Sequence, residues 1–251
     1  MIELLFGTVI HRPYVYLFFV CFLAFAFQHL RMKGGLIFIL LAYSIAFSCE
    51  FSSTRNGFPF GMYIYHDEMR DRELWLSNIP FWDPLSFVFL SYFSWYMAGI
   101  LRYKVPLSNA LMRPSTAIIA GGLMTLLDVV IDPLTLMGNR WFLGSLYHYP
   151  SEGIYFGVTL ANFGGWFFVG TLIPIVYQFV SRLSFIHYSQ WRPLSPLLLK
   201  GIFGVYAGVF LFNLGITAWI GDWRLMLASS SVACLTLLIC SIGLQKRLES
   251  S

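Results

Sequence analysis

The chain has 251 residues, of which 58% are hydrophobic, 19% aromatic and only 11% charged, and its net charge is +4. Soluble domains contain about 25% charged residues, and the apolar runs here reach the roughly 20 residues that cross a bilayer. The composition therefore excludes a soluble globular protein and predicts a polytopic membrane protein. It also excludes a nucleic-acid surface, which would need clustered basic residues.

The apolar runs predict an all-α transmembrane helical bundle of about seven spans, with six to eight compatible with the pattern. We expect one integral-membrane domain over residues 1–251, in which the first ten residues form a candidate re-entrant piece. Glu3 stands where a signal peptide has a basic flank, so the first span is expected to be retained. The predicted spans are 13–30, 35–50, 81–101, 114–134, 155–180, 198–220 and 224–244.

Basic residues are concentrated on one side of this seven-span arrangement. The loops near 31–34, 102–113 and 181–197, the adjoining Lys200 and the C-terminal end together hold 10 of the 16 Lys and Arg residues. Lys and Arg in short loops mark the cytoplasmic side, so we expect a multi-pass cell-membrane protein with a cytoplasmic C-terminus and an outward loop 51–80. Eleven of the 12 acidic residues fall toward the other side. This asymmetry indicates a polar site at one membrane face.

Two aspartates in the predicted fourth span are the first candidates for that site. Asp128 and Asp132 lie four positions apart in an apolar run, so they share one helix face at roughly 5–6 Å. An ionisable residue inside a span indicates a functional site by default. Two structural alternatives stay open: Asp132 precedes Pro133 and is also interpretable as a helix end or cap, and Asp128 as an ion pair with an arginine. Asp83, at the start of the third span, is interpreted as a helix cap.

Other polar residues flank these aspartates in the chain. Glu50 ends the second span and opens a loop rich in Gly, Pro and aromatic residues, which is either an interfacial aromatic belt or a lid on an apolar cavity. Asn162 lies in the first turns of the fifth span and needs a buried partner, for which an aspartate is suitable. Gly164 and Gly165 follow it and permit close helix contact.

Several enzyme classes lack their sequence signatures. The five histidines form no HxxxH pair and the four cysteines no CxxC pair, and HExxH, GxSxG, P-loop and GxGxxG motifs are absent from the sequence. We therefore expect no metal and no cofactor. Carboxylates, an amide and aromatic residues around an apolar space favour acid–base chemistry on an apolar substrate.

Three segments resemble a known family. The run EFSSTRNGFPFGMYIY (50–65) is similar to the Glu…Gly-x-Pro-Phe-Gly-x-Tyr-x-Tyr signature of the carotenoid biosynthesis membrane proteins, which include the hydratases of γ-carotene and bisanhydrobacterioruberin. LLDVVIDPLTL resembles their Asp-x-x-x-Asp-Pro segment, and YFGVTLANFGGW resembles their Tyr-Phe-Gly-x-x-x-x-Asn-Phe-x-Gly-Trp segment. The family-like motifs fall within 50–166; Thr159-Leu160-Ala161 replaces the usual Pro-Leu-Ser, and Asp83 stands at a position expected to be apolar.

The resemblance implies addition of water across the terminal double bond of an acyclic carotenoid end, giving a tertiary alcohol. Protonating such an alkene needs a carboxylic acid in a water-poor site, a second carboxylate to orient water, and aromatic faces to stabilise the cation. Catalytic candidates are Asp128, Asp132 and Glu50, without assignment of acid and base. Candidate substrate-binding residues are Asn162, Trp166, Phe60, Tyr63, Tyr65 and Tyr155.

The resemblance also implies a hydrophobic carotenoid or polyprenyl substrate and a location in the lipid bilayer. Contacts with other membrane enzymes of the carotenoid pathway are compatible with it. Two alternatives remain open at this stage. One is a different cofactor-free acid–base enzyme on polyprenyl lipids, an isomerase or cyclase. The other is a non-enzymatic lipid transporter or binding protein, although no internal repeat with paired broken helices is seen.

Overall fold

A computed structural model describes residues 1–183 and 186–250 of the chain, so part of the predicted loop 181–197 and residue 251 lie outside the described residues. The described part is a bundle of α-helices with four two-residue strands in the loops. The helices are α1 Ile2–His11, α2 Pro13–His29, α3 Arg31–Asn56, α4 Trp82–Leu101, α5 Leu107–Leu111, α6 Pro114–Leu136, α7 Leu160–Val180, α8 Pro196–Ile220 and α9 Trp223–Glu249; the strands are β1 Ile64–Tyr65, β2 Trp75–Leu76, β3 Ile79–Pro80 and β4 Tyr147–His148.

Six of these helices are long and apolar enough to cross a membrane, and the pair α1 and α2 counts as a seventh if it is taken as one bent span. The two helices of that pair meet at 95°, at Arg12, and Pro13 opens α2 at a position where its missing N–H is not needed. The prediction of an all-α polytopic bundle is therefore confirmed, and α1 is the piece that departs from a straight span.

α4 is the central helix of the bundle, because every residue from 87 to 100 is buried. The remaining spans pack around it, and each leaves one side to the surroundings. All the long helices run through the full bundle, so one end gathers the start of α2, the end of α3, the start of α4, the end of α6 and the start of α7. The loops 57–81 and 137–159 cover that end.

Several predicted helix bounds are wrong for local reasons. α3 extends to Asn56 instead of stopping at residue 50, because the Thr54 hydroxyl and the Arg55 guanidinium bond to carbonyls one turn earlier, and Gly57 ends the helix at φ 80°. α7 begins at Leu160 instead of 155, because the Thr159 side chain caps the helix. α9 extends beyond the predicted residue 244 to Glu249.

Asp132 does not end its helix. α6 continues through Pro133 to Leu136, and the carboxylate is not a cap. The interpretation of Asp132 as a helix end is therefore wrong, and its side chain is left for other contacts. These contacts lie at the loop-covered end of the bundle.

Candidate active site

The Asp132 carboxylate collects hydrogen-bond donors from three segments of the chain. Its Oδ2 accepts from the Tyr149 hydroxyl at 2.9 Å and from the Asn162 amide at 3.0 Å. Its Oδ1 accepts from the Tyr147 hydroxyl, and the Thr135 hydroxyl lies 3.2 Å away. A carboxylate surrounded only by donors has the surroundings of the ionised, acceptor-only form. We call Asp132, Asn162, Tyr147, Tyr149 and Thr135 the Asp132 cluster.

Asp128 lies one turn deeper in α6 and is joined to this cluster through Asn162. The Asn162 amide donates to Asp128 Oδ2 at 2.7 Å, so one amide nitrogen bridges both aspartates. Asp128 is fully buried, and its Oδ1 has no hydrogen-bond partner among the described residues. The alternative of an arginine partner is wrong: in the described part of the chain the ion pairs of arginine are with Asp67, Glu73 and Asp222.

A second cluster forms around Tyr65. The Tyr65 hydroxyl lies 3.0 Å from Glu50 Oε2 and is also hydrogen-bonded to Asp83 Oδ2. Glu50 is only 2% exposed. A phenol carries one proton, so Tyr65 can donate to only one of the two carboxyl groups. For the other contact to be a hydrogen bond, that carboxyl must be protonated and donate to the phenol oxygen. With both contacts formed, the Glu50–Tyr65–Asp83 cluster holds two protons: the phenol proton and one proton on a carboxyl group.

The position of Asp83 corrects its interpretation as a helix cap. α4 begins after Phe81 without a side-chain capping bond, and the Asp83 carboxylate in its first turn turns toward Tyr65. The sequence signal was present but ambiguous, because Asp before Pro at a helix start is typical of a cap. The partner that decides its role comes from a loop 18 residues earlier in the chain.

The two clusters are held side by side by a short antiparallel strand pair. β1 pairs with β4 so that Tyr65 lies opposite Tyr147. Side chains alternate along a strand, so Tyr63 and Tyr65 share the inner face with Tyr147 and Tyr149, and the ring centroids of Tyr63 and Tyr147 are 5.4 Å apart. Ile64, on the other face, is exposed.

Tyr147 and Tyr149 were not among the residues predicted from the sequence. A signal for them exists, since YHY at 147–149 repeats the Tyr-x-Tyr pattern of YIY at 63–65. Burial raises the pKa of Tyr65, Tyr147 and Tyr149 above its ordinary value, and the neighbouring carboxylates raise it further. These phenols therefore keep their protons and act as donors.

The two clusters line one cavity of about 110 Å³. Glu50 and Asp83 are on one wall, and Asp132 and Asn162 on another, whereas Asp128 lies behind Asn162 and is not among the lining residues. The remaining lining is mostly apolar and aromatic. It includes Phe60, Tyr63, Trp82, Phe87, Trp141, Leu143, Leu146 and Trp166.

The structure brings eight of the nine predicted site residues to this cavity or its hydrogen-bond network. Trp166 stacks on Phe87 with ring centroids 4.4 Å apart, and Phe60 contacts Phe87 at 5.6 Å. Tyr155 is the exception, because its ring packs against Phe156 and Phe163 and it is not among the cavity-lining residues. The others are Asp128, Asp132, Glu50, Asn162, Trp166, Phe60, Tyr63 and Tyr65.

Within residues 1–183 and 186–250, no three His, Cys, Asp or Glu side chains are grouped so that they could hold a metal ion. Chemically, the arrangement offers proton donors and acceptors on two walls of an aromatic cavity. It is suited to proton transfer to and from an apolar molecule.

A family model described as "carotenoid biosynthesis protein" matches residues 10–237. The chain belongs to this family. The match covers most of the chain, including the rest of α7 and all of α8, which lie beyond the sequence motifs at 50–166. No curated protein and no solved structure is significantly similar to the chain. Membership places the protein in carotenoid biosynthesis, and the multi-pass helical bundle places it in a membrane.

Proposed function

We propose that this protein is a carotenoid hydratase, a hydro-lyase that adds water across the terminal C=C of an acyclic carotenoid end to give a tertiary alcohol. The observation that supports this most is the pair of carboxyl–phenol clusters on two walls of one small aromatic cavity. Hydration needs a proton donor and a water-orienting base at the same alkene. An isomerase or cyclase needs the acid but no site for water.

The Glu50–Tyr65–Asp83 cluster is the proposed acid. The carboxyl proton held between Glu50 and Asp83 through Tyr65 is transferred to the CH carbon of the terminal double bond. The π electrons form the new C–H bond, and the carbon that carries two methyl groups becomes a tertiary cation. Trp166, Phe87 and Phe60 line the same space, and their ring faces stabilise this cation electrostatically.

The Asp132 cluster is the proposed base. Its surroundings are those of an ionised carboxylate, and the Asn162 amide beside it provides a further polar contact for a water molecule. Water adds to the cation through an oxygen lone pair, and the proton it loses passes to Asp132 and then returns to the acid cluster. The net change is addition of one water, with no oxidant or reductant. Asp128 acts as a positioning residue that holds Asn162.

The experiment is to express the protein in cells that accumulate lycopene and to analyse the pigments, first in ordinary and then in ¹⁸O-labelled water. We expect a more polar product that is heavier by one water and takes its oxygen from the solvent. Chelators should not change the amount formed. A product of unchanged mass would contradict hydration in favour of isomerisation or cyclisation. Unchanged pigment, with wild-type protein present in the membrane, would favour transport or binding.

We also propose that the site faces outward and that the C-terminus is cytoplasmic. In support, Arg247 near the end of α9 bonds to carbonyls in the loop after α4, so the basic C-terminal end and the basic loop 102–113 share one end of the bundle. The site is at the other end. Single cysteines at Ser77 and Ser250, labelled with an impermeant reagent on intact cells, test this: Ser250→Cys reacting from outside would overturn it.

A further inference from the structure

The cavity is too small for a whole carotenoid. Its volume of about 110 Å³ is below the about 150 Å³ of an engineered apolar cavity that binds benzene. A branched end of an isoprenoid chain is of this order of size, but the long polyene behind it is not. A substrate whose end reaches Asp132 and Glu50 must therefore leave most of its length outside the cavity.

The cavity extends from the two clusters to the line where α2 and α8 meet. The lining residues of each helix have the spacing of one helix face. Those of α2 are Tyr14, Val15 and Phe18, and those of α8 are Val209, Phe212 and Asn213.

Aromatic rings lie across this part of the α2–α8 line, and Phe142 of the loop 137–159 packs edge-on against Tyr14 at 6.0 Å. Tyr14 stacks on Phe212 with ring centroids 5.1 Å apart, and Phe18 meets Phe212 edge-on at 6.3 Å. All three rings are half-buried. Side-chain rotations displace such rings without moving a helix backbone.

The other half of the same line is sealed differently. At Gly201 an added Cβ would lie 2.6 Å from the Phe25 ring, so there the α8 backbone packs directly on this α2 side chain, whereas at Gly208 the nearest Phe18 ring atom would be 3.7 Å away. The two halves thus differ: at one level the Phe25 ring lies tightly on the α8 backbone, and at the other Tyr14, Phe18 and Phe212 lie over the cavity.

The ring-covered half faces the apolar surroundings of the bundle. Leu17 on α2 is 62% exposed and Leu211 on α8 is 63% exposed, and each is a chain neighbour of a cavity-lining residue. By contrast, Trp141, Leu143 and Leu146 of the loop 137–159 line the cavity at its loop-covered end. An apolar molecule dissolved in the bilayer meets the site most directly between α2 and α8.

We propose that the α2–α8 line is a lateral opening for an acyclic polyene, with Tyr14, Phe18 and Phe212 as its gate. The reacting end passes the three rings into the cavity while the rest of the chain stays in the bilayer between the two helices. The inference rests on the proposed function only in taking an acyclic carotenoid as the ligand, and it does not depend on which reaction follows.

The test closes the gate reversibly. In a background with the four native cysteines replaced by alanine, Phe18→Cys and Phe212→Cys are bridged by a short bifunctional methanethiosulfonate, which a reducing agent releases. The matched control is Phe25→Cys with Gly201→Cys, which ties the same helices at the sealed half. Two readouts follow each step: lycopene retained by the purified protein, measured by absorbance, and water-added product.

We expect bridging at residues 18 and 212 to abolish lycopene uptake and turnover, reduction to restore both, and the control bridge to change neither. Unchanged uptake with residues 18 and 212 fully bridged would overturn the opening. Loss of uptake in the control as well would also overturn it, because motion of the whole helix pair would then be required. If uptake follows the gate but no variant, unbridged or wild type, makes a water-added product, the proposed hydration fails and the opening stands.

Discussion

The two ends of the bundle bury polar side chains in different ways. At the end opposite the site, Gln178 donates to the carbonyls of Leu111 and Arg113 at 2.8 and 3.1 Å, and Arg247 donates to carbonyls at and after the end of α4. These bonds give a second donor to carbonyls at or near helix ends that already accept one hydrogen bond. Their partners are fixed, so this end serves to hold the helices together.

At the site end, buried side chains bond mainly to one another. Asn162 bridges Asp128 and Asp132, and Tyr65 bridges Glu50 and Asp83. Protons can move among such groups, which backbone carbonyls do not permit. Burial alone therefore does not distinguish a structural polar side chain from one suited to proton transfer. The hydrogen-bond partner does, a backbone carbonyl in the first case and another side chain in the second.

Asp132→Asn should cause the largest loss of turnover among the variants at the site end. The variant keeps the size of the side chain and one acceptor oxygen. Its amide nitrogen only donates, so one of the two phenols must turn to accept from it, and the group that accepts the proton from water is lost. We expect turnover to fall by roughly 10²–10⁴-fold, the usual contribution of acid–base catalysis, with unchanged expression and thermal stability. Product formed per amount of purified protein measures this. Near-normal turnover in well-folded protein would show that the base lies elsewhere.

Tyr65→Phe should have a smaller effect, because both carboxyl groups of its cluster remain. Glu50 and Asp83 both lose their hydrogen bond to the bridging hydroxyl, which costs about 1–3 kcal/mol for a buried group left unpaired. As a barrier difference this corresponds to roughly 5- to 150-fold in rate. Tyr155→Phe is the control, since Tyr155 lies outside the cavity. Equal losses in the two variants would remove the argument for a shared proton.

Gly165→Ala should disturb the site through packing. An added Cβ would lie 2.4 Å from the Phe60 ring and 2.8 Å from its Cα, so α7 and the loop that carries Phe60 must separate. We expect a loss of about 1–3 kcal/mol in stability, as for other overpacked positions, and reduced turnover. Gly164→Ala meets nothing within 4 Å and should behave as wild type in both thermal unfolding and product analysis. A neutral Gly165→Ala would show that this contact is not rigid.

Gln178→Leu should change the opposite end only. The Leu111 and Arg113 carbonyls lose the amide donor but keep the Trp95 indole N–H and the Thr116 backbone N–H. The free energy of unfolding should therefore fall by about 0.5–1.5 kcal/mol, the net value of a hydrogen bond, and the melting temperature should fall with it. Turnover per folded molecule should stay at the wild-type value. A variant that folds normally yet loses turnover would break the distinction between the two ends.

The sequence by itself determined the membrane-spanning helices and two members of each cluster, Asp132 and Asn162 in one and Glu50 and Tyr65 in the other. Apolar runs of bilayer length must form helices, because backbone groups in lipid have no other partners. Spacing of four placed Asp128 and Asp132 on one helix face, and Asn162 was correctly expected to need a polar partner. The family-like motifs then linked these residues with Glu50 and the Tyr63–Tyr65 strand.

The tertiary structure alone decided what lies opposite what. From the sequence, Asp83 is interpreted as a helix cap; its contact with Tyr65 exists only because strand β1 lies beside it. Tyr147 likewise has the pattern of an ordinary loop residue, and only the pairing of β4 with β1 brings it to the site. The wall that α2 and α8 add to the cavity has no local signal either, since their lining residues are ordinary apolar residues of two distant spans. Local patterns follow from the chain's own geometry, whereas these contacts join segments far apart in sequence and exist only once the helices have packed.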